Sequence, residues 1–437
     1  MICCKRTFAL HYFMNTRCRH NIIAIFSDLR RRRFYHPATV LSLFAAVLLL
    51  GISAAKASTT EVIYSFAGDA DGEYADTDLA IDGAGNLYGS TVLGGDFGSG
   101  TVWQLAPSGS SWTHTVLYSF TSGADGSEPY KGVTLDAEGN LYGTAVAGGS
   151  GSCEGGCGVV YKLTNSGGTW TQTVIHAFTG GDDGSGPGAR VAVDPQGNVY
   201  GMTPTGGAFG LGTIYQLHPG ASGNYTFKVI HNFTGGTDGS SGSAGKMVLR
   251  DGYLYGAATT GGAFGSGTVF QLTPTQAGEW DFKILYSFRG QPDGVFPYGA
   301  LLFDRSGDIF GTTYYGGVNG IGAVYQLAPR PTGEWKERVL YSFADGGDGN
   351  SPISHLNFDA VGNLYGTTSE GGLGSGTIFK LTRGPNGSWV ESLPHLFQGP
   401  PDAAFPYSGM INRAGSFYGA TTHGGDNDDG AIYKFTP

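Results

Sequence analysis

GVTLDAEGNLYGTAVAGG, residues 132–149, reads as a hairpin followed by a loop. Val133 and Leu135 alternate with Thr134 as in a half-buried strand, and Asp136 to Asn140 supply turn chemistry. Leu141 and Tyr142 begin a second strand, which the Gly148-Gly149 pair ends. GVVYKL, 158–163, makes a third strand. After the turn NSGG, the run WTQTVIHAF, 170–178, makes a fourth, and a period of two puts Trp170, Val174, His176 and Phe178 on one face. The expectation is one four-stranded antiparallel unit.

The unit recurs seven times. The hairpin's second strand reads Leu87-Tyr88-Gly89, Leu141-Tyr142-Gly143, Val199-Tyr200-Gly201, Leu254-Tyr255-Gly256, Ile309-Phe310-Gly311, Leu364-Tyr365-Gly366 and Phe417-Tyr418-Gly419. The fourth strand ends in Phe66, Phe120, Phe178, Phe233, Phe288, Phe343 and Phe397, spaced 54 to 58 residues apart. A period near fifty, with four strands and recurrent glycine and aromatic positions, is the pattern of a β-propeller blade. The array opens with a fourth-type strand, EVIYSF at 61–66, and its last strand is a third-type one, AIYKF. Joining the two completes a blade and removes exposed sheet edges. The expected fold is therefore all-β: a seven-bladed β-propeller with four antiparallel strands per blade, closed by strand 61–66 completing the last blade.

Residues 1–57 differ in composition. They carry nine Lys or Arg and one acidic residue, and 38–55 is an uncharged, mostly apolar run ending at Ala55-Lys56-Ala57. This is the pattern of a signal peptide cut after Ala57, with an uncleaved anchor as the alternative. Met14 offers a second start, and Arg31-Arg32-Arg33-Phe34 a weak twin-arginine resemblance. The expected domains are thus a leader, 1–57, and a propeller, 58–437, exported to the periplasm, the cell surface or the medium.

Residues 58–437 keep 16 basic and 34 acidic residues, a net charge of −18. Such a surface repels phosphate backbones, so nucleic acid is excluded as a partner. No further apolar run is long enough to span a membrane. Two cysteines lie beyond the leader, Cys153 and Cys157 in CEGGC, a spacing that permits a local disulfide, in keeping with export. The 77 glycines are periodic, as turns, strand ends and close blade approaches require, rather than the scatter of a disordered chain.

The recurring YSF, Asp-Gly, LDxxGNLYGTT and GGxxGxGTVxxL segments resemble the GloVer-type tandem repeat of exported bacterial proteins with varied anchors. The blades are also similar to those of NHL and kelch propellers, which implies binding rather than a catalytic residue set.

Aspartates stand in every blade-to-blade connection: Asp71, Asp125, Asp183, Asp238, Asp293, Asp348 and Asp402. They read as turn residues capping backbone amides. The first connection, GDADGEYADTD, holds Asp69, Asp71, Glu73, Asp76 and Asp78; the last double-glycine loop, HGGDNDDG, holds His423, Asp426, Asp428 and Asp429. In a closed ring these segments are neighbours. Asp69, Asp71, Glu73, Asp76, Asp426, Asp428 and Asp429 are therefore a candidate Ca²⁺ site, weighed against a solvated acidic seam. His176, His231 and His395 occupy positions held elsewhere by tyrosine, and Trp112, Trp170, Trp280, Trp335 and Trp389 begin fourth strands; both sets read as packing.

No nucleophile elbow, zinc-protease pair or phosphate-binding loop is present. The expectation is a monomeric binding or interaction module for a glycan or a protein. The alternative is a carbohydrate-active hydrolase or lyase at the channel mouth on the Asp-rich face.

Overall fold

A computed structural model describes residues 58–240, 246–344 and 347–437. The leader reading, its cleavage point and its twin-arginine motif lie outside these residues. The described residues contain no helix, so none is long and apolar enough to cross a membrane.

The chain forms seven four-stranded antiparallel blades in a ring. The second blade shows the plan: Ser127–Leu135, Leu141–Ala147, Val159–Ser166 and Thr169–Ala177 pair in sequence order. The seventh blade is assembled from both ends of the array. Thr59–Ser65 pairs antiparallel with Ala431–Thr436, outside Ser416–Thr421 and Ile411–Arg413. In the fifth blade the first strand is split into Gly294–Pro297 and Leu302–Phe303, both pairing with Ile309–Gly316.

The third and fourth strands slip register at the same place in every blade, as between Val160 and Tyr161 in the second. This bulge overturns one expectation. A strict alternation puts His176 and Phe178 beside Trp170 and Val174, but the extra residue reverses the facing beyond it. Trp170 and Val174 pack toward the first blade, while Ile175 and Phe178 pack toward the third.

Seven apolar clusters fill the joints between neighbouring blades. Each takes in one of the fully buried phenylalanines that end the fourth strands. The Gly of each Leu-Tyr-Gly triplet is required by a close approach: a methyl on Gly143 would run into the Tyr161 ring, as one on Gly419 would into Tyr433. Removing a ring such as Phe178 would cost about 3 to 5 kcal/mol.

Candidate functional site

The acidic seam does not gather into one cluster. Asp71 accepts from the Tyr64 hydroxyl at 2.7 Å and from the Ala67 amide at 3.1 Å. Asp76 is buried and pairs with Lys131 at 2.6 Å. Asp428 caps the Gly424 amide at 2.8 Å, and Asp426 is exposed. The Asp69 carbonyl accepts from the Gly72 and Gly95 amides. Glu73 and Asp429 repel one another: burial, then Asp429, raises the Glu73 carboxyl, against the opposing pull of His423. Among the described residues no three of His, Cys, Asp and Glu are grouped to hold a metal ion.

The repeated aspartates form a structural joint. Each accepts from the amide four residues earlier and from the tyrosine or histidine seven residues earlier: Tyr64, Tyr118, His176, His231, Tyr286, Tyr341 or His395. Where histidine is used, the next blade can present a flat partner: His176 stacks on Phe227 and His231 on Phe282, each at 3.9 Å between centroids. The tryptophans pack across joints too, Trp112 on Tyr418 and Trp280 on Tyr200. Cys153 and Cys157 are joined as a disulfide.

Charged chemistry converges on the axis instead. Asp78, Lys131, Arg190, Lys246, Tyr298, His355 and Tyr407, one from each blade, line a constriction of about 20 Å³, room for a single water. Asp78 lies 3.3 Å from His355 Nδ1 and accepts from the Gly409 amide at 3.0 Å. Burial opposes its charge, but His355, Arg190 and Lys131 together outweigh burial and hold the carboxyl well below the usual carboxylate range. Burial likewise opposes the Lys131 charge, and Asp76 more than restores it. Arg190 donates to the Leu79 carbonyl and Thr134 hydroxyl, tying three blades together. Below the constriction, toward the hairpin turns, the channel widens to a cavity of about 390 Å³.

Above it, on the face of the Asp-Gly connections, aromatic rings collect. Tyr314 and Tyr315 meet at 4.4 Å, with Tyr298 at 6.3 Å from Tyr314 and Phe296 at 5.9 Å from Tyr315. A second group joins Phe405 and Tyr74 through His423. Tyr407 lies between these groups, its hydroxyl within the field of Glu370, Tyr314, Asp76 and Lys131. Tyr74, Phe296 and Phe405 hold this face with φ near +56°, a region that bulky residues enter only under constraint.

The sequence reading missed Lys131, Arg190, Lys246 and His355. A signal was present for the last three. Four residues before each hairpin turn the chain reads Asp78, Gly132, Arg190, Lys246, Ala300, His355 and Gly409, a register position at which the repeats disagree. Tyr314-Tyr315 likewise stands where most blades carry small or aliphatic residues, such as Val146-Ala147, and where two carry Ser369-Glu370 and Thr422-His423.

A family described as the Gloeobacter/Verrucomicrobia repeat matches residues 52–259 and 245–437. No curated protein matches the chain. Among solved structures, a Lactobacillus plantarum protein is similar at 17% identity and TM-score 0.50, with 80% of this chain and 99% of that one covered. A hypothetical selenium-binding protein from Sulfolobus tokodaii is similar at 10% identity and TM-score 0.50, covering 84% and 90%. Both likenesses are of fold alone.

Proposed function

The chain belongs to the Gloeobacter/Verrucomicrobia repeat family, and we propose that its ring is an exported binding module that takes a glycan on the aromatic mouth of the channel. The observation that carries this reading is the pair of ring groups around Tyr314-Tyr315 and Phe405-His423, flanking Tyr407 on one face. Sugar C–H faces stack on such rings, while tyrosine hydroxyls and the exposed Glu370 carboxylate offer partners for sugar hydroxyls. The net negative charge favours neutral or cationic glycans over polyanions.

Catalysis at the axis is the weaker reading. Glycoside hydrolysis needs one carboxyl that keeps its proton at working pH. Asp78 is held ionised by its cations, and Asp76 is paired with Lys131.

Glycan-array binding by the protein, followed by mass analysis of each bound glycan, tests the proposal. Tyr315 is 43% exposed, so Tyr315→Ala leaves the fold alone. The expected result is intact glycan and about tenfold weaker binding by the variant, about 1.4 kcal/mol. Cleaved glycan would assign a hydrolase or lyase instead. Unchanged binding by the variant would move the site off the aromatic face.

A further inference from the structure

The 390 Å³ cavity has a composition different from that of the mouth. Its walls are mostly apolar, formed by Leu79, Met247, Leu249, Leu302, Leu356 and Ile411 in or just before the first strands, with Thr134 and Asn357 the polar exceptions. Its apex is charged, with Arg190, Lys246, Asp78 and His355. Several wall residues, among them Leu249, Leu302 and Ile411, are only half-buried, so solvent reaches them. Size, apolar walls and a few convergent polar groups are the features of a small-molecule site.

The charges at the apex do not balance. Lys131 is matched by Asp76, and Asp78 faces His355. Arg190 and Lys246 stand at the same register position of adjacent blades, and neither forms an ion pair among the described residues. Two cations share one carboxylate, Asp78, which His355 already engages. Repulsion from Arg190, and then burial, pushes Lys246 down to about 7, with Asp78 pulling the other way. A buried excess of positive charge is costly unless an anion completes it.

We propose that this cavity binds an amphipathic monocarboxylate, its carboxylate between Arg190 and Lys246 and its apolar body against the leucine walls. The planar guanidinium suits a carboxylate, and the walls exclude a bare inorganic anion, which brings no apolar surface to bury. The site lies on the opposite side of the constriction from the aromatic mouth, and it rests on no part of the glycan reading.

Octanoate, its neutral isostere octanamide and inorganic phosphate, titrated calorimetrically into the full chain, provide the test. Octanoate is expected to bind at least tenfold more tightly than octanamide, and phosphate not at all. At pH 8 octanoate binding should take up protons, because a bound carboxylate favours the charged form of Lys246. The other groups facing it are Arg190, Asp78 and His355, with the Lys131–Asp76 pair beyond. Arg190 also ties blades together, so Lys246→Met carries the test: it keeps the chain's bulk and removes the charge. The variant should lose both the preference for octanoate over octanamide and the proton uptake. Equal binding of octanoate and octanamide, phosphate binding as tight as octanoate's, or an unaltered Lys246→Met variant would each overturn the assignment.

Discussion

Glu391 faces Asp348 across the joint between the fifth and sixth blades, and each leaves one buried oxygen, Glu391 Oε1 and Asp348 Oδ1, without a hydrogen-bond partner among the described residues. The other Asp348 oxygen is committed to the Tyr341 hydroxyl at 2.7 Å and the Ala344 amide at 2.9 Å. Glu337 stands in the same relation to Asp293 one joint earlier. Burial first, and then the facing aspartate, raises both glutamates to about 7. A carboxyl whose folded value is raised contributes fully below its unfolded value near 4.3, and that contribution is lost as pH rises through 7.

The first expectation is a stability loss between about pH 4.5 and 7 to which each glutamate contributes about 1 kcal/mol, the nominal shift being discounted for solvent at its exposed edge. Gln172 holds the equivalent position in the second blade, so glutamine fits there. Urea unfolding of Glu337→Gln and Glu391→Gln at pH 5 and pH 8 should show variants more stable than the parent at pH 8 only.

His114 acts in the opposite direction. It stacks on Tyr64 at 4.4 Å, its Nε2 is buried without a partner among the described residues, and burial pushes it down to about 4 against the pull of Asp71. A depressed histidine gives its full contribution above the unfolded value near 6.5 and loses it as pH falls toward 4. His114→Gln should remove about 2 kcal/mol of acid sensitivity across that window, discounted for partial exposure. A parallel loss in parent and variant would contradict it.

At the axis, Lys131→Met strands a buried Asp76 and should destabilise by about 3 to 5 kcal/mol. Adding Asp76→Leu removes the stranded charge and should recover most of the loss. A double variant no more stable than the single one would show that the pair is held for its hydrogen bonds elsewhere.

The Cys153–Cys157 bridge closes a short loop, a sequence separation of 4, so its effect is modest. The Cys153→Ala, Cys157→Ala double variant should lose about 2 kcal/mol by chain entropy. Thermal melts of that variant, against parent with and without reductant, measure it.

The blade was legible because its requirements are local and repeated seven times. Alternation gave the strands, glycine pairs their ends, and Phe178 and its counterparts the joints. The bulge was not legible, since one inserted residue leaves no mark on a pattern of period two, and it reversed the facing of His176. The axis escaped for a different reason. Asp78 and His355 are far apart in the chain and meet only when the ring forms. The acidic seam shows the converse: nearness in sequence put Asp71 and Asp76 together, while hydrogen bonding sent one to Tyr64 and the other to Lys131.

The residue two positions before each innermost strand lies outside the ladder in the first, third, fourth, fifth and sixth blades, where it is Asp78, Arg190, Lys246, Ala300 or His355. Glycine is required at the other two: a methyl on Gly409 would collide with the His355 ring, and one on Gly132 with the Asp78 carbonyl. Asp78, Arg190 and His355 bond to neighbouring blades, but at Lys246 and Ala300 no side-chain hydrogen bond to another blade is made among the described residues, so these two can be exchanged with little call on the scaffold. A designer can therefore change the charge of the axis at those two blades while the ring keeps its shape.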